Sequence, residues 1–301
     1  MRYEIVKKIR EIWGNEARNI GILNCNEDNE TKLPIIPISI IPKKFKTYSL
    51  QELRQDKLLG ELIRVYQIIF GTPDIWNEGA FCNREGWART ISLEEYERRK
   101  KEGKLRCYCG GIFQSCYPTE ILETRILDEL SDSKRSILAI MRDDSNSKIA
   151  GFLWGINADF KEIGRRILNA RYRERQKQGL IEISNLKHRL EKKGVLDNKF
   201  LYGDEMGLLK EFRRGLNYMY LIRLWCEHGY SQNVKQLLFW TSKKSPLYQL
   251  AFIYGCELLY TTSDGINFLF HPDFEPQLKV GQYYDEGEFT IFLKKFFKFL
   301  I

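Results

Sequence analysis

The chain has 301 residues, 43% of them hydrophobic by type, and carries 48 Lys and Arg against 40 Asp and Glu for a net charge of +8. That length allows one large domain or two small ones, and the apolar content supports an ordinary core. No apolar run reaches the roughly 18 residues that span a bilayer, and the opening MRYEIVKKIREIW is charged and amphipathic, without a signal peptide's apolar core. A cytosolic protein without membrane contact is therefore expected. The positive charge predicts an anionic ligand or a nucleic acid partner. The 7 cysteines, in a cytosolic chain, point to thiols or a metal and away from disulfides.

Residues 3–20 read as a helix with Ile5, Ile9, Ile12 and Trp13 on one face, and Asn24 to Lys32 as a polar loop. Ile35 to Ile41, interrupted by Pro37, suits an edge strand. Asp56 to Phe70 has helical periodicity through Leu58, Leu59, Leu62, Val65, Tyr66 and Ile69. The loop after it carries Trp76 and Glu78.

Gly79 to Pro118 is small, polar and cysteine-rich, with Cys82, Cys107, Cys109 and Cys116. Cys107-Tyr108-Cys109-Gly110-Gly111 reads as a knuckle whose glycines let backbone amides turn toward sulfur. Four thiolates would close a tetrahedral zinc site; the other reading is four unpaired cysteines packed as small apolar residues. Within the segment, Ser92 to Glu102 is a charged helix with Ser92 as N-cap and Glu95 completing a capping box.

Pro118 to Leu130 reads as a helix with Ile121, Ile126, Leu127 and Leu130 inward, and Ser136–Met141 with Ile149–Ile156 as a hairpin. Asp159 to Lys193 is helical in pattern and strongly basic. It reads either as a solvated lid or dimer arm, or as a nucleic-acid face built from Arg165, Arg166, Arg171, Arg173, Arg175 and Lys177.

Phe200 to Glu257 organises the rest. Leu201 to Leu209 is a strand and Arg213-Arg214-Gly215 a turn. Apolar residues from Leu216 onward have helical spacing, with Arg223 and Glu227 as polar points, up to a stop at His228-Gly229. Val234 to Trp240 is a second strand. The two strands and the helix predict a right-handed βαβ crossover. The helix entrance, with two arginines beside it, is an anion site. Leu258–Thr261 and Ile266–Phe270 flank Ser263-Asp264-Gly265 as a hairpin, and Phe289 to Leu300 reads as an amphipathic helix.

This order of strand, Arg/Gly turn, helix, strand and loop-helix, closed by Gly255-Cys256-Glu257, resembles the GNAT superfamily of N-acetyltransferases, and IAGFLWG resembles that family's third strand. The resemblance implies an α/β fold: a mixed central sheet flanked by helices in one domain over residues 1–301. The cysteine-rich segment at 79–118, similar to zinc-ribbon insertions in some prokaryotic acetyltransferases, and a basic helical segment at 159–195 would be insertions in it. It implies transfer of acetyl from acetyl-CoA to a primary amine by direct attack on the thioester, in a monomer or homodimer. The pyrophosphate would lie on the amides of Arg214, Gly215, Leu216 and Asn217, beside Arg213. The strand would bulge around Met206 to Leu209, so that amides such as those of Met206 and Leu208 face the thioester. Of Asp204 and Glu205, alternation turns one to the cleft; Glu205 is taken as general base, and Tyr248 or Tyr254 as proton donor. The alternative is a catalytically degenerate relative that binds nucleic acid or a protein partner.

Overall fold

The computed structural model describes residues 42–275 apart from 74, 174 and 214–216. The helices expected over 3–20 and 289–300, the strand over 35–41, and Arg214, Gly215 and Leu216 lie outside the described residues.

The elements follow in chain order as β1 (Phe45–Tyr48), α1 (Leu50–Gln55), α2 (Leu59–Gly71), β2 (Ala80–Cys82), β3 (Gly86–Ile91), α3 (Leu93–Lys101), β4 (Phe113–Ser115), α4 (Thr119–Glu129), β5 (Ser136–Arg142) and β6 (Ile149–Ala158). Then come α5 (Phe160–Arg171), α6 (Gln176–Lys192), β7 (Phe200–Leu208), α7 (Asn217–Ser231), β8 (Gln236–Ser242), α8 (Pro246–Ile253), β9 (Glu257–Thr261) and β10 (Ile266–His271). A 7-stranded sheet has the order β1-β5-β6-β7-β8-β10-β9, and β3-β2-β4 form a separate 3-stranded sheet. All pairs in the large sheet are antiparallel except β7 with β8. That one parallel pair needs a crossover, and α7 supplies it. This is the mixed sheet flanked by helices that the sequence predicts, with β1 at its edge.

Helices cover both faces. On one side α7 and α8 bring Leu221, Trp225, Cys226 and Ala251 against Leu201, Leu208 and Phe239. On the other, Leu62, Tyr66 and Ile69 of α2 and Leu122 and Ile126 of α4 pack on Phe152 and Trp154. Helices α5 and α6 cover Phe200, Tyr202 and Phe270. Among the described residues no helix is long and apolar enough to cross a membrane.

Several local expectations change. Ile121 is exposed and Leu122 takes the inward position on α4. Helix α7 does not stop at Gly229: it runs to Ser231, and the left-handed residue beyond it is Asn233 (φ 57°). Gly229 serves instead as a close approach, since a Cβ there would stand 2.7 Å from Leu201 Cδ2. Arg223, expected on a polar stripe, is fully buried and paired with Glu227. Ser92 caps α3 as expected, but Glu95 turns to Arg98 and Arg99 and so does not reach back to the cap.

Candidate active site in the splay between two strands

Strands β7 and β8 pair only from Phe200 to Gly203 against Gln236 to Phe239. Both continue further, β7 to Leu208 and β8 to Ser242, each held on its outer side by β6 or β10. The sheet therefore opens like a V, and a cavity of about 90 Å³ lies in the opening, lined by Trp76, Glu205, Met206, Trp225, Trp240 and Tyr254 among others. That is room for several water molecules or a small acyl group.

The opening starts where β7 bulges. Trp154 pairs with Glu205, but the next β6 residue, Gly155, pairs with Gly203, so Asp204 is the extra residue. The bulge thus falls earlier than the expected Met206 to Leu209. It also overturns the expectation that alternation sends Asp204 and Glu205 to opposite faces, because an inserted residue re-aims its neighbour. Asp204 meets Arg166 of α5 at 2.5 Å, and Glu205 meets Tyr66 of α2 at 3.0 Å and Arg125 of α4 at 2.7 Å. Both carboxylates therefore point toward the same helical layer. Glycines flank the bulge because Trp225 lies beneath it: a Cβ on Gly203 would be 3.1 Å from Trp225 Cζ2, and one on Gly155 2.2 Å from the Tyr202 carbonyl.

The carboxylates sit in a buried ionic network. Arg125 also meets Glu129 Oε1 at 2.8 Å, whose other oxygen accepts from Trp154 Nε1 at 2.8 Å. Arg166 donates to the Glu129 carbonyl at 2.8 Å. Burial pushes the Glu205 carboxyl from its ordinary 4.5 up to about 7, against the opposing pull of the Arg125 charge and of hydrogen bonds from Arg125 and Tyr66. A carboxyl so placed titrates in the neutral range. Burial and the Glu129 charge push Asp204 upward against the pull of Arg166.

The free edge of β7 supplies backbone groups. Leu209 N–H bonds Ala150 on the β6 side, so alternation turns residues 204, 206 and 208 to the opening. Two of their carbonyls are occupied: Trp240 Nε1 donates to Asp204 O at 2.9 Å and Arg213 Nε to Leu208 O at 2.9 Å. The Met206 amide lies between them, on the same edge. The Trp225 indole N–H is buried without a partner among the described residues and lies under β6, 3.1 Å from where a Cβ on Gly155 would stand; an orphaned buried donor costs about 1–3 kcal/mol.

The expected site residues separate. Glu205, Met206, Arg213 and Tyr254 line the cavity. Tyr248 packs edge-on against Phe252, with ring centroids 5.0 Å apart, and does not line it. Burial pushes the Tyr254 phenol above its ordinary value, so it keeps its proton at neutral pH; its hydroxyl lies 3.7 Å from Met219 Sδ. Asn217 Nδ2 donates to Phe212 O at 2.9 Å. The contribution of Tyr66, Arg125 and Trp240 was not read from sequence. Tyr66 counted as core, and nothing in local spacing ties residues so far apart to Glu205.

The basic helices direct much of their charge inward. Arg166 and Arg171 are buried or nearly so and meet Asp204, and Glu78 with Asp264, respectively. Arg165 pairs with Glu162 and Asp128, and Arg175 with Asp264. Of the four cysteines expected around a metal, Cys82, Cys107 and Cys109 bring their sulfurs within 4.8 Å of one another. Cys116 does not join them. Its sulfur is buried beside Glu78 and Arg171, because β4 carries it past the knuckle.

No family model and no curated protein matches the chain. Solved structures do resemble it. One is the PaiA N-acetyltransferase of Thermoplasma acidophilum in complex with coenzyme A, at 11% identity, covering 75% of this chain and 97% of that chain, TM-score 0.40. Another is arylalkylamine N-acetyltransferase 2 of Aedes aegypti, at 12% identity over 75% and 98%, TM-score 0.44. A third is the polyamine N-acetyltransferase of Drosophila melanogaster, at 9% identity over 75% and 99%, TM-score 0.43. At these identities and scores the likeness is one of chain course and says nothing of activity.

Proposed function

We propose that this chain is an acyl-CoA-dependent N-acyltransferase that moves an acetyl group from acetyl-CoA to a primary amine by direct attack on the thioester. The observation that carries this reading is the splay of β7 from β8, with a buried carboxylate titrating near 7 and a backbone amide edge facing the same cavity.

Glu205 takes the proton of the attacking ammonium, directly or through one water. The amine nitrogen then bonds the thioester carbon, and the Met206 N–H stabilises the oxygen that gains charge. The C–S bond breaks, and Tyr254 gives the departing thiolate its proton. No covalent enzyme intermediate is needed. The turn over 213–217 is where the pyrophosphate is assigned, on Arg213 and the amides of Arg214, Gly215, Leu216 and Asn217. On the acceptor side Phe70, Trp76 and Trp240 meet ring to ring, which favours an amine on an apolar or aromatic body.

The test is thermal stability with and without acetyl-CoA, followed by release of free CoA thiol over a panel of arylalkyl and aliphatic amines. Ligand at about 100 times its dissociation constant adds about 2.7 kcal/mol. A shift that is lost on Gly215→Glu, with turnover of at least one amine, supports the reading. No shift at millimolar acetyl-CoA in folded protein overturns it in favour of a binding role.

A further inference from the structure

We propose that Cys82, Cys107 and Cys109 bind one zinc ion through three thiolates, and that the ion clamps the small sheet β3-β2-β4. This stands independently of the acyltransferase reading.

The three sulfurs come from two separate turns, Cys82 at the end of β2 and Cys107 with Cys109 in the loop before β4. They lie within 4.8 Å of one another, and Cys82 and Cys109 sulfurs are 3.4 Å apart. Zinc–thiolate bonds of about 2.3 Å at tetrahedral angles separate sulfurs by about 3.8 Å, so small side-chain shifts seat the ion.

The backbone around the sulfurs points the same way. The amides of Arg84 and Glu85 turn toward the Cys82 sulfur and that of Gly111 toward Cys109. Amides turned toward sulfur orient it for a metal, as outer-shell donors do in such sites. Gly110 takes a left-handed φ of 81°, and a Cβ on Gly111 would stand 2.6 Å from the Cys82 sulfur. The Arg84 guanidinium donates to Cys109 O at 2.6 Å, tying the two turns together.

The sheet needs a clamp. Its buried apolar core is Ala80, Cys82, Cys107 and Phe113, with few neighbours. A core so small supplies little stability on its own, and a structural metal is a usual remedy. Soft thiolates select zinc over hard cations. On binding, each thiol gives its proton to solvent and its sulfur lone pair to the ion. The sheet is tied to the rest of the fold beside the clamp: Cys116 N–H bonds Gly79 O at 3.2 Å, and Glu78, next in sequence, accepts from Tyr117 and Arg171.

The experiment is metal analysis of the full chain purified after expression with added zinc, beside C82S, C107S and C116S variants. The expected result is one zinc per chain in the wild type and in C116S, and less than a tenth of that in C82S and C107S. Cobalt exchanged into the wild type should give an intense thiolate-to-metal charge-transfer band. Should the variants fail to fold, titration of the wild type with a mercurial reagent decides, because zinc should leave in step with three thiols. A wild type without zinc and with freely reactive thiols would overturn the proposal. So would stoichiometric copper or iron in place of zinc, a Cys82–Cys109 disulfide in the purified chain, or loss of zinc in C116S as complete as in C82S.

Discussion

The hydroxyl of Tyr66 stands 3.0 Å from Glu205 Oε1, although the two residues are 139 positions apart in the chain. Helix α2 thus fixes a carboxylate on β7 that would otherwise be free to choose rotamers in the cavity. Arg125 completes the grip from α4 at 2.7 Å. The arrangement sets both where Glu205 points and where its carboxyl titrates.

Glu205→Gln should lower turnover about 10²–10⁴-fold, the range for losing a general base. In the wild type, turnover should rise with pH through a midpoint at about 7, where the carboxyl loses its proton; the variant should lack that limb. The stability sign is opposite. Between its ordinary 4.5 and about 7 the folded state holds this proton more tightly than the unfolded chain, so this group's contribution to stability falls as pH rises through that window. Denaturant titrations of both proteins at pH 5 and pH 8 check it.

Arg125→Met leaves Glu129 and Glu205 buried beside a neutral side chain. Removing one partner from a buried pair typically costs about 3–5 kcal/mol. Because the Arg125 charge and hydrogen bond lower the Glu205 pKa, its loss should move the rising limb of the pH profile above 7. An unchanged midpoint would show that Arg125 holds the fold without tuning the base.

Gly207→Ala should destabilise by about 1–3 kcal/mol through overpacking. The added Cβ would lie 2.7 Å from Ile69 Cγ2, across the contact between β7 and α2. Ile69→Ala in the same chain removes that methyl, so the double variant should be more stable than the two single losses summed. Chemical denaturation of the four proteins measures the coupling.

Trp240→Phe keeps the ring but deletes the N–H that reaches the Asp204 carbonyl at 2.9 Å. The cost should be about 1–3 kcal/mol, the range for a buried acceptor left without its donor. Since that bond holds the bulge at the mouth of the splay, KM for the amine should rise as well. A stability loss with unchanged kinetics would confine Trp240 to a structural role.

Much of the fold was legible in the sequence because its signals are local. Hydrophobic period separates Leu62, Tyr66 and Ile69 on a helix from the run Ile149 to Ala158 on a strand, and Ser92 caps α3 by a hydrogen bond three residues away. The β7–α7–β8 crossover and the Cys107–Gly111 turn are likewise short-range. Glu205 is a candidate through the family resemblance, by its place on β7. What surrounds it could not be named, because bulges, splays and ion pairs are settled by contacts between distant segments. Asp204 becomes the extra residue only because Gly155 leaves room for the Tyr202 carbonyl. Arg166 and Arg171 read as surface charge along a basic helix, and turn inward only because buried Asp204 and Glu78 await them. Cys116 follows the same rule. Its spacing places it with the other cysteines, yet β4 pairs with β2 in a register that carries its sulfur to Glu78 and Arg171. Sequence determined the elements and the candidate chemistry, since backbone propensity and apolar period act within a few residues; tertiary structure alone decided which charges are neutralised and which thiols meet, since burial and electrostatics act across the whole fold.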